Sequence, residues 1–423
     1  MSTPTLSIPR PAVRSRAKDT LQRERHEPEY GILVAIVALA AIGILMVYSS
    51  SAMKAFLSKE ADTFAIVGPQ ILWAAIGVVA MLVMMRVDYR WLRVVSVPVF
   101  LIALVGLVLV FVPGLNRVVG GSARWLVIGP LPAFHPAEFM KLALVIYLAH
   151  WFAKRGSAVR GFWSGTVPFL IIAGPAVVLV FKEPDLGTTT VLAATALTMF
   201  FVAGANLLHL VALGAVAVPV VLAAMRDYQA DRITAWLNPW DDRSGLGFHS
   251  VQGFFALALG GLLGAGLGES RLAGGLFLPN ASNDFIFAII GEEFGLLGAG
   301  LVIVLFLAFG YLGIRTALGA PDTFGALLAA GITAWICIQA FINMAVVVGL
   351  IPVTGIPLPF VSAGGSSLII SFAALGILLS VSRETVEKGT WNDAPADRGR
   401  GNGRAHLPGP RRRPVAQNPG RRA

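Results

Sequence analysis

Apolar runs of around 20 residues recur from Gly31 to Ser382, each set off from the next by a short polar or Gly- and Pro-bearing stretch. About 20 such residues carry a helix across the hydrocarbon layer of a bilayer. The pattern predicts ten spans, at 31–52, 65–85, 92–112, 136–153, 163–181, 187–204, 206–224, 285–314, 323–349 and 364–382. The expected fold is therefore an all-α integral membrane protein of about ten transmembrane helices. One long connection, 225–284, joins helices 7 and 8, and its first half carries Arg226, Asp227, Asp231, Arg232, Trp236, Trp240, Asp241, Asp242 and Arg243. Its second half, His249 to Gly268, is apolar but Gly-rich. That composition predicts a re-entrant or interfacial helix packed on the bundle rather than an eleventh span.

Composition agrees, with 56% apolar and 13% charged residues against roughly 45–50% and 25% in soluble domains. The net charge of +10 could point to nucleic acid, but the basic residues sit mainly in two tails and in short loops. With both tails placed in the cytoplasm, the inner segments, Arg93 at the edge of its span included, hold 23 of the 33 Lys and Arg residues. Nine lie outside and Lys141 lies within a span, as the positive-inside rule requires of an even number of spans. The large loop 225–284 is then extracytoplasmic. Residues 1–30 and 383–423, basic and without apolar periodicity, are expected to be disordered cytoplasmic tails. The first apolar segment is expected to stay in place as an uncleaved anchor. Cys337 is the single cysteine, which excludes an intrachain disulfide and a cysteine-based metal site. No short-period repeat and no inverted pair of broken helices is evident, which weighs against a transporter.

Four polar clusters interrupt the apolar chain, almost wholly on the outer side. In Leu278-Pro279-Asn280-Ala281-Ser282-Asn283-Asp284-Phe285-Ile286-Phe287 an acid stands where loop becomes helix. Asp284 there is either a helix cap or a general base beside a loop large enough to hold a sugar. Glu292 and Glu293 follow roughly 12 to 14 Å along the same helix, where carboxylates need partners. The second cluster runs from Ser122-Ala123-Arg124-Trp125 to His135-Pro136-Ala137-Glu138-Phe139-Met140-Lys141. Glu138 and Lys141 share a helix face, as an ion pair or as functional groups within the membrane. Arg124 is an interface anchor or, beside a phosphate-bearing lipid, an anion clamp. The third, Lys182-Glu183-Pro184-Asp185-Leu186-Gly187-Thr188-Thr189, places Asp185 to cap the next helix. The fourth ends in Ser362-Ala363-Gly364-Gly365-Ser366-Ser367, a plain helix start or a phosphate cradle. His135, His150, His209 and His249 have no ligand spacing, and no P-loop, nucleophile elbow or HExxH occurs.

In this order, the Arg-Trp with Pro-Ala-Glu, the Glu-Pro-Asp-Leu-Gly-Thr, the Leu-Pro with Asp-Phe-Ile-Phe-Ala and Gly-Glu-Glu, and the Gly-Ile-Pro-Leu-Pro with Gly-Gly-Ser-Ser resemble the SEDS family (FtsW, RodA, SpoVE) over roughly residues 30–385. Gly266-Leu267-Gly268-Glu269-Ser270-Arg271 is more similar to the division branch, FtsW, than to the elongation branch, RodA. Where family members usually read His-Thr-Asp, this chain has Ser282-Asn283-Asp284, and its Ser362-Ala363-Gly364-Gly365 lacks a common Tyr.

The resemblance implies a peptidoglycan glycosyltransferase that polymerises lipid II into β-1,4 glycan at the outer face of the cytoplasmic membrane for septal synthesis, with Asp284 as its essential acid. It also implies partnership with a class B penicillin-binding protein transpeptidase and with division or elongation complex proteins. A pyrophosphate leaving group needs positive charge rather than a second acid. Arg124, Lys141 and Lys182, with Ser366 and Ser367, are the candidates to bind it. Glu138, Asp185 and Glu292 are candidate supporting acids, orienting cations or a divalent ion, Mg or Mn; no organic cofactor is expected. The competing readings are a lipid II flippase, a RodA-type polymerase for elongation, and a scaffold that only activates a transpeptidase.

Overall fold

A computed structural model describes residues 27–57, 64–119, 122–127, 129, 133–225, 227–245, 247–274 and 282–384. The tails, apart from residues 27–30 and 383–384, and the Leu278–Ala281 part of the first motif lie outside the described residues.

The apolar runs fold as helices in chain order. These are α1 (Tyr30–Leu57), α2 (Phe64–Arg86), α3 (Trp91–Leu109), α4 (Pro136–Arg155), α5 (Val167–Lys182), α6 (Leu186–Val202) and α7 (Leu207–Ala224). The loop that follows folds as α8 (Asp227–Leu237), α9 (Phe248–Gly260) and the single turn α10 (Arg271–Gly274). The last three spans are α11 (Ile286–Gly319), α12 (Thr323–Val347) and α13 (Gly365–Ser382). Among the described residues seven helices are long and apolar enough to cross a membrane, namely α1, α2, α3, α5 with the π turn before it, α11, α12 and α13. Helices α6 and α7 are shorter apolar elements, and α4 is diluted by Glu138, Lys141, Lys154 and Arg155. These ten helices fall on the ten segments of the hydropathy pattern. The protein is a multi-pass membrane protein.

Local chemistry sets the boundaries. Asp185, Asn206 and Asp322 cap α6, α7 and α12 by accepting from the amides of Thr188, Leu208 and Gly325, which satisfies donors that the first helical turn leaves orphaned. Pro136 opens α4, where its missing N–H costs nothing. Interior prolines in α2, α3, α5 and α7 are tolerated in membrane helices because neighbouring groups re-satisfy the freed carbonyls.

Helices α12 and α13 form the centre: 61% and 72% of their apolar windows are buried, against 22% for α2 and α3. Large apolar side chains on the outer helices, such as Val34, Val94, Ile102 and Ile171, are exposed, the expected arrangement where the solvent is lipid. Helices α2 and α13 pack along each other. A Cβ at Gly376 would stand 2.3 Å from the Met81 carbonyl, so glycine permits the close backbone approach that small residues give membrane helices.

Two features depart from the pattern. Asn116–Val119 (β1) and Ser122–Leu126 (β2) form an antiparallel hairpin, a small exception to an otherwise helical chain. Helix α11 is broken at Gly295, whose φ of 65° and ψ of −162° are not helical. The chain after α9 repairs the break: the amides of Leu296 and Leu297 donate to Gly261 and Leu262, while Ala265 and Gly266 donate to the carbonyls of Glu292 and Glu293. Helix α9 runs beside the first section of α11, with Gly253 facing Phe285 and Gly260 against Gly291. The loop therefore dips along the bundle and returns. Because of the break, the 12 to 14 Å expected from Asp284 to the Glu292–Glu293 pair is length along a separate section, not depth along the trans-bilayer helix.

At the ends of α2 and α11, Tyr89 Oη donates to Asp322 Oδ2 (2.5 Å). Arg90 reaches Asp322 (3.4 Å) and Glu384 (2.5 Å), joining the α2–α3 and α11–α12 turns to the end of α13.

Candidate active site

The described start of the Asp284 segment is held by its backbone. Ser362 Oγ donates to the Asn283 carbonyl (2.6 Å), and the Ala363 amide donates to that of Ser282 (2.9 Å). Asn343 of α12 donates through Nδ2 to the Asp284 carbonyl (2.9 Å) and to that of Ile356 (2.8 Å). The Asp284 side chain is left for other work. Phe285, not Asp284, occupies the cap position of α11, and the Phe285 side chain makes no cap bond. The cap reading of Asp284 is thereby corrected: the turn Ser282–Phe285 puts the carboxylate one residue too early. The side chain is half-buried, and Oδ2 lies 3.5 Å from where a Cβ would stand on Gly355. Burial pushes its pKa up to about 6, with Arg232 and, less strongly, Arg124 opposing the rise and Asp185 adding to it.

Behind this carboxylate lies a connected polar layer. Gln339, one turn before Asn343 on α12, accepts from Lys141 Nζ (2.7 Å) and from Trp335 Nε1 (3.0 Å), and donates to the Pro357 carbonyl (2.9 Å). Lys141 also donates to Glu138 Oε1 at 2.9 Å and lies over the Trp335 ring. Both members of that pair are buried, so the geometry is that of a buried, hydrogen-bonded ion pair.

The Glu183–Asp185 turn completes the wall. Asp185 accepts from the Thr188 amide (3.0 Å) and hydroxyl (2.9 Å) and faces His135 Nε2 at 3.6 Å. Burial lowers the His135 pKa. The Arg124 guanidinium donates to the carbonyls of Glu183 (3.2 Å) and Pro184, bracing this turn from the hairpin. Gly187 leaves room for the 351–357 segment, since a Cβ there would stand 2.4 Å from Ile356 Cγ2 and 2.8 Å from the Thr354 carbonyl.

The remaining predicted residues are more dispersed. Lys182 is exposed at the end of α5. Ser366 and Ser367 are half-buried in the first turn of α13, where Trp73 packs against Gly365. Glu292 belongs to the loop: Oε2 accepts from Ser270 Oγ (2.5 Å), and Oε1 accepts from the amides of Arg271 (2.8 Å) and Leu272 (3.4 Å). Among the described residues its hydrogen bonds go to Ser270, Arg271 and Leu272 rather than to the Asp284 cluster. Among the described residues, no group of three or more His, Cys, Asp or Glu side chains is disposed to hold a metal ion.

Two residues gain significance only from the fold. Glu183 is buried with no hydrogen-bond partner on either carboxylate oxygen, and burial, with Asp185 nearby, pushes its pKa up to about 9. It is a neutral acid at physiological pH. Arg232, on α8, is the strongest positive influence on Asp284. Glu138 Oε2, His135 Nδ1, Asn343 Oδ1 and Thr354 Oγ1 are likewise buried without partners, which marks the layer as one that calls for water or a polar ligand.

The fold and site define a polytopic, nearly all-helical membrane protein in which two carboxyl groups of raised pKa, Asp284 and Glu183, stand beside a buried polar layer. The chain matches the family model of the FtsW, RodA and SpoVE cell cycle proteins over residues 30–387, and it belongs to that family. It is 44% identical over 362 residues to stage V sporulation protein E of Bacillus subtilis, covering 85% of this chain and 98% of that one. It is 40% identical over 355 residues to a protein of Geobacter sulfurreducens named "Probable peptidoglycan glycosyltransferase FtsW", covering 83% and 94%. A solved chain described under "Structural coordination of polymerization and crosslinking by a peptidoglycan synthase complex" superposes with a TM-score of 0.68 at 28% identity, over 84% of this chain and 98% of that one.

Proposed function

We propose that this protein is a peptidoglycan glycosyltransferase that polymerises lipid II at the outer face of the cytoplasmic membrane, with Asp284 as general base. The observation that carries the reading is the Asp284 carboxylate, held by its backbone but not used as a helix cap, with a pKa of about 6. A base is most effective when its pKa lies near the working pH. In the reaction, Asp284 takes the proton of a GlcNAc 4-hydroxyl as that oxygen attacks the anomeric carbon of a lipid-linked MurNAc. The anomeric C–O bond breaks, its electron pair leaves with the pyrophosphate, and the α-linked donor becomes a β-linked glycan. The Asp284 proton then passes to water. Arg124 and Arg232, whose charges both reach Asp284, supply positive potential for the departing phosphates.

The FtsW-named relative supports a septal role. The structural relative's assembly in a synthase complex supports work beside a class B penicillin-binding protein. The test is glycan-chain formation from purified lipid II by the protein with its transpeptidase partner, comparing wild type with Asp284→Asn at matched expression and melting temperature. Loss of polymer in the variant supports the reading; equal polymerisation removes Asp284 as base.

A further inference from the structure

Helix α8 of the outer loop is docked by two side chains four residues apart, and therefore on one face. Arg232 Nη1 donates to the Val353 carbonyl (3.0 Å), and Trp236 Nε1 donates to that of Gly349 (2.8 Å). The segment they grip continues directly to the site. Gly355, with φ at 73°, borders the Asp284 carboxylate, and Ile356 shares Asn343 with the Asp284 backbone. Val353 and Gly355 are two residues apart, a span of at most about 7 Å, so one short strap accepts the guanidinium at one end and borders the carboxylate at the other.

The charged and titratable groups around Asp284 come from four elements. Arg232 on α8 and Arg124 on the hairpin favour the ionised carboxylate, and Asp185 at the start of α6 disfavours it. His249 on α9 lies with its ring centroid 5.9 Å from that of Phe285, and burial and, less strongly, Arg232 disfavour its protonation. The same guanidinium thus acts on both titratable groups that flank Phe285.

We propose that Arg232 is a positioning residue of the transfer site, carried in by α8 and anchored on Val353 so that its charge keeps the Asp284 carboxylate ionised and able to accept a proton. The chemistry rests on the glycosyltransferase reading, but the electrostatic claim does not. An opposite charge nearby shifts a carboxyl pKa by about 1 to 3 units, so removing Arg232 from beside a carboxyl that titrates at about 6 should leave Asp284 at least half protonated at neutral pH.

The test titrates Asp284 without requiring activity. Water-soluble carbodiimide modifies protonated carboxyl groups, and fragment-ion mass spectrometry of the full-length protein, digested after labelling, locates the adduct on Asp284. Arg232→Gln and Arg232→Met should each raise the pH midpoint of labelling by about one unit, while Arg232→Lys should stay near wild type. Both neutral variants are measured, at melting temperatures matched to wild type, so that a folding defect in one leaves the other to decide. Coincident midpoints in wild type and a folded neutral variant overturn the proposal. In parallel, the acid limb of the lipid II polymerisation profile should move with the labelling midpoint. If Asp284→Asn still polymerises while the midpoint moves, the base reading fails and the electrostatic one survives.

Discussion

Asn343 and Asp284 are joined through the main chain rather than through the carboxylate: Asn343 Nδ2 donates to the Asp284 carbonyl at 2.9 Å and to the Ile356 carbonyl at 2.8 Å. One amide group of the central helix therefore sets the separation between the Asp284 backbone and the strap that borders its carboxylate. Asn343→Leu keeps the shape and loses both donors. A displacement of about 1 Å at a reacting group can cost 10²-fold, so glycan formation by this variant should fall by about that factor. Asn343→Asp should lose at least one of the two bonds and fall in the same direction, because a carboxyl group has at most one proton to donate. A polymerisation assay on the folded variants decides it, and wild-type rates in either would remove Asn343 from the positioning set.

The pH dependence of the reaction follows from Asp284. In the proposed mechanism the ionised form is the base, and its pKa is about 6, so activity should be full well above that value. It should drop about tenfold for each unit below it. An acid limb in kcat/KM centred near pH 4, the ordinary carboxyl range, would contradict this environment.

Glu183 makes a separate prediction about stability. Its pKa is raised from 4.5 in the unfolded chain to about 9 in the folded protein, so between those values the folded state holds a proton that the unfolded state has released. Stability should then be highest at the acid end of this window and decline as pH rises through it. Glu183→Gln keeps the shape of the neutral acid and removes the slope, with a gain on the order of a few kcal/mol at pH 8. Thermal unfolding of wild type and variant in detergent between pH 5 and 9 measures this; parallel curves would show that Glu183 ionises freely.

The Glu138–Lys141 pair should behave as a unit. Lys141→Met leaves a buried carboxylate without its cation and should destabilise by about 3–5 kcal/mol. Combining it with Glu138→Gln should recover most of that loss. A double-mutant cycle by thermal unfolding reports the coupling, and additive losses would mean the two charges do not depend on each other.

The bundle was legible in the sequence because most spans are apolar runs near or above the length a bilayer needs, and several boundaries carry their own signal, as at Asp185 and Pro136. Even α4, diluted by Glu138 and Lys141, was legible from the apolar run 136–153. Asp284 could be singled out as an acid, but whether it caps the helix depends on a single residue of register, which hydropathy does not resolve. The hairpin had a usable signal, two β-branched or aromatic stretches around Gly120-Gly121, easily overlooked within a helical pattern. The break at Gly295 had none, since Gly291, Gly295, Gly298 and Gly300 are alike on paper; it is fixed by the returning 261–266 segment. Arg232 and Glu183 were hidden for the same reason: their roles come from groups far away in the chain.

The break in α11 also has a mechanical side. The section 296–319 is long enough to cross a bilayer, while 286–294 is tied to α9 and to the 261–266 segment across a discontinuity. Stretching or thinning the lipid loads the first of these directly and reaches the second only through a joint that no continuous helical ladder stiffens. The carboxylate sits on the sheltered side of that joint, so the turnover of this protein should be nearly indifferent to acyl-chain length in reconstituted vesicles, even where the tilt of α11 changes.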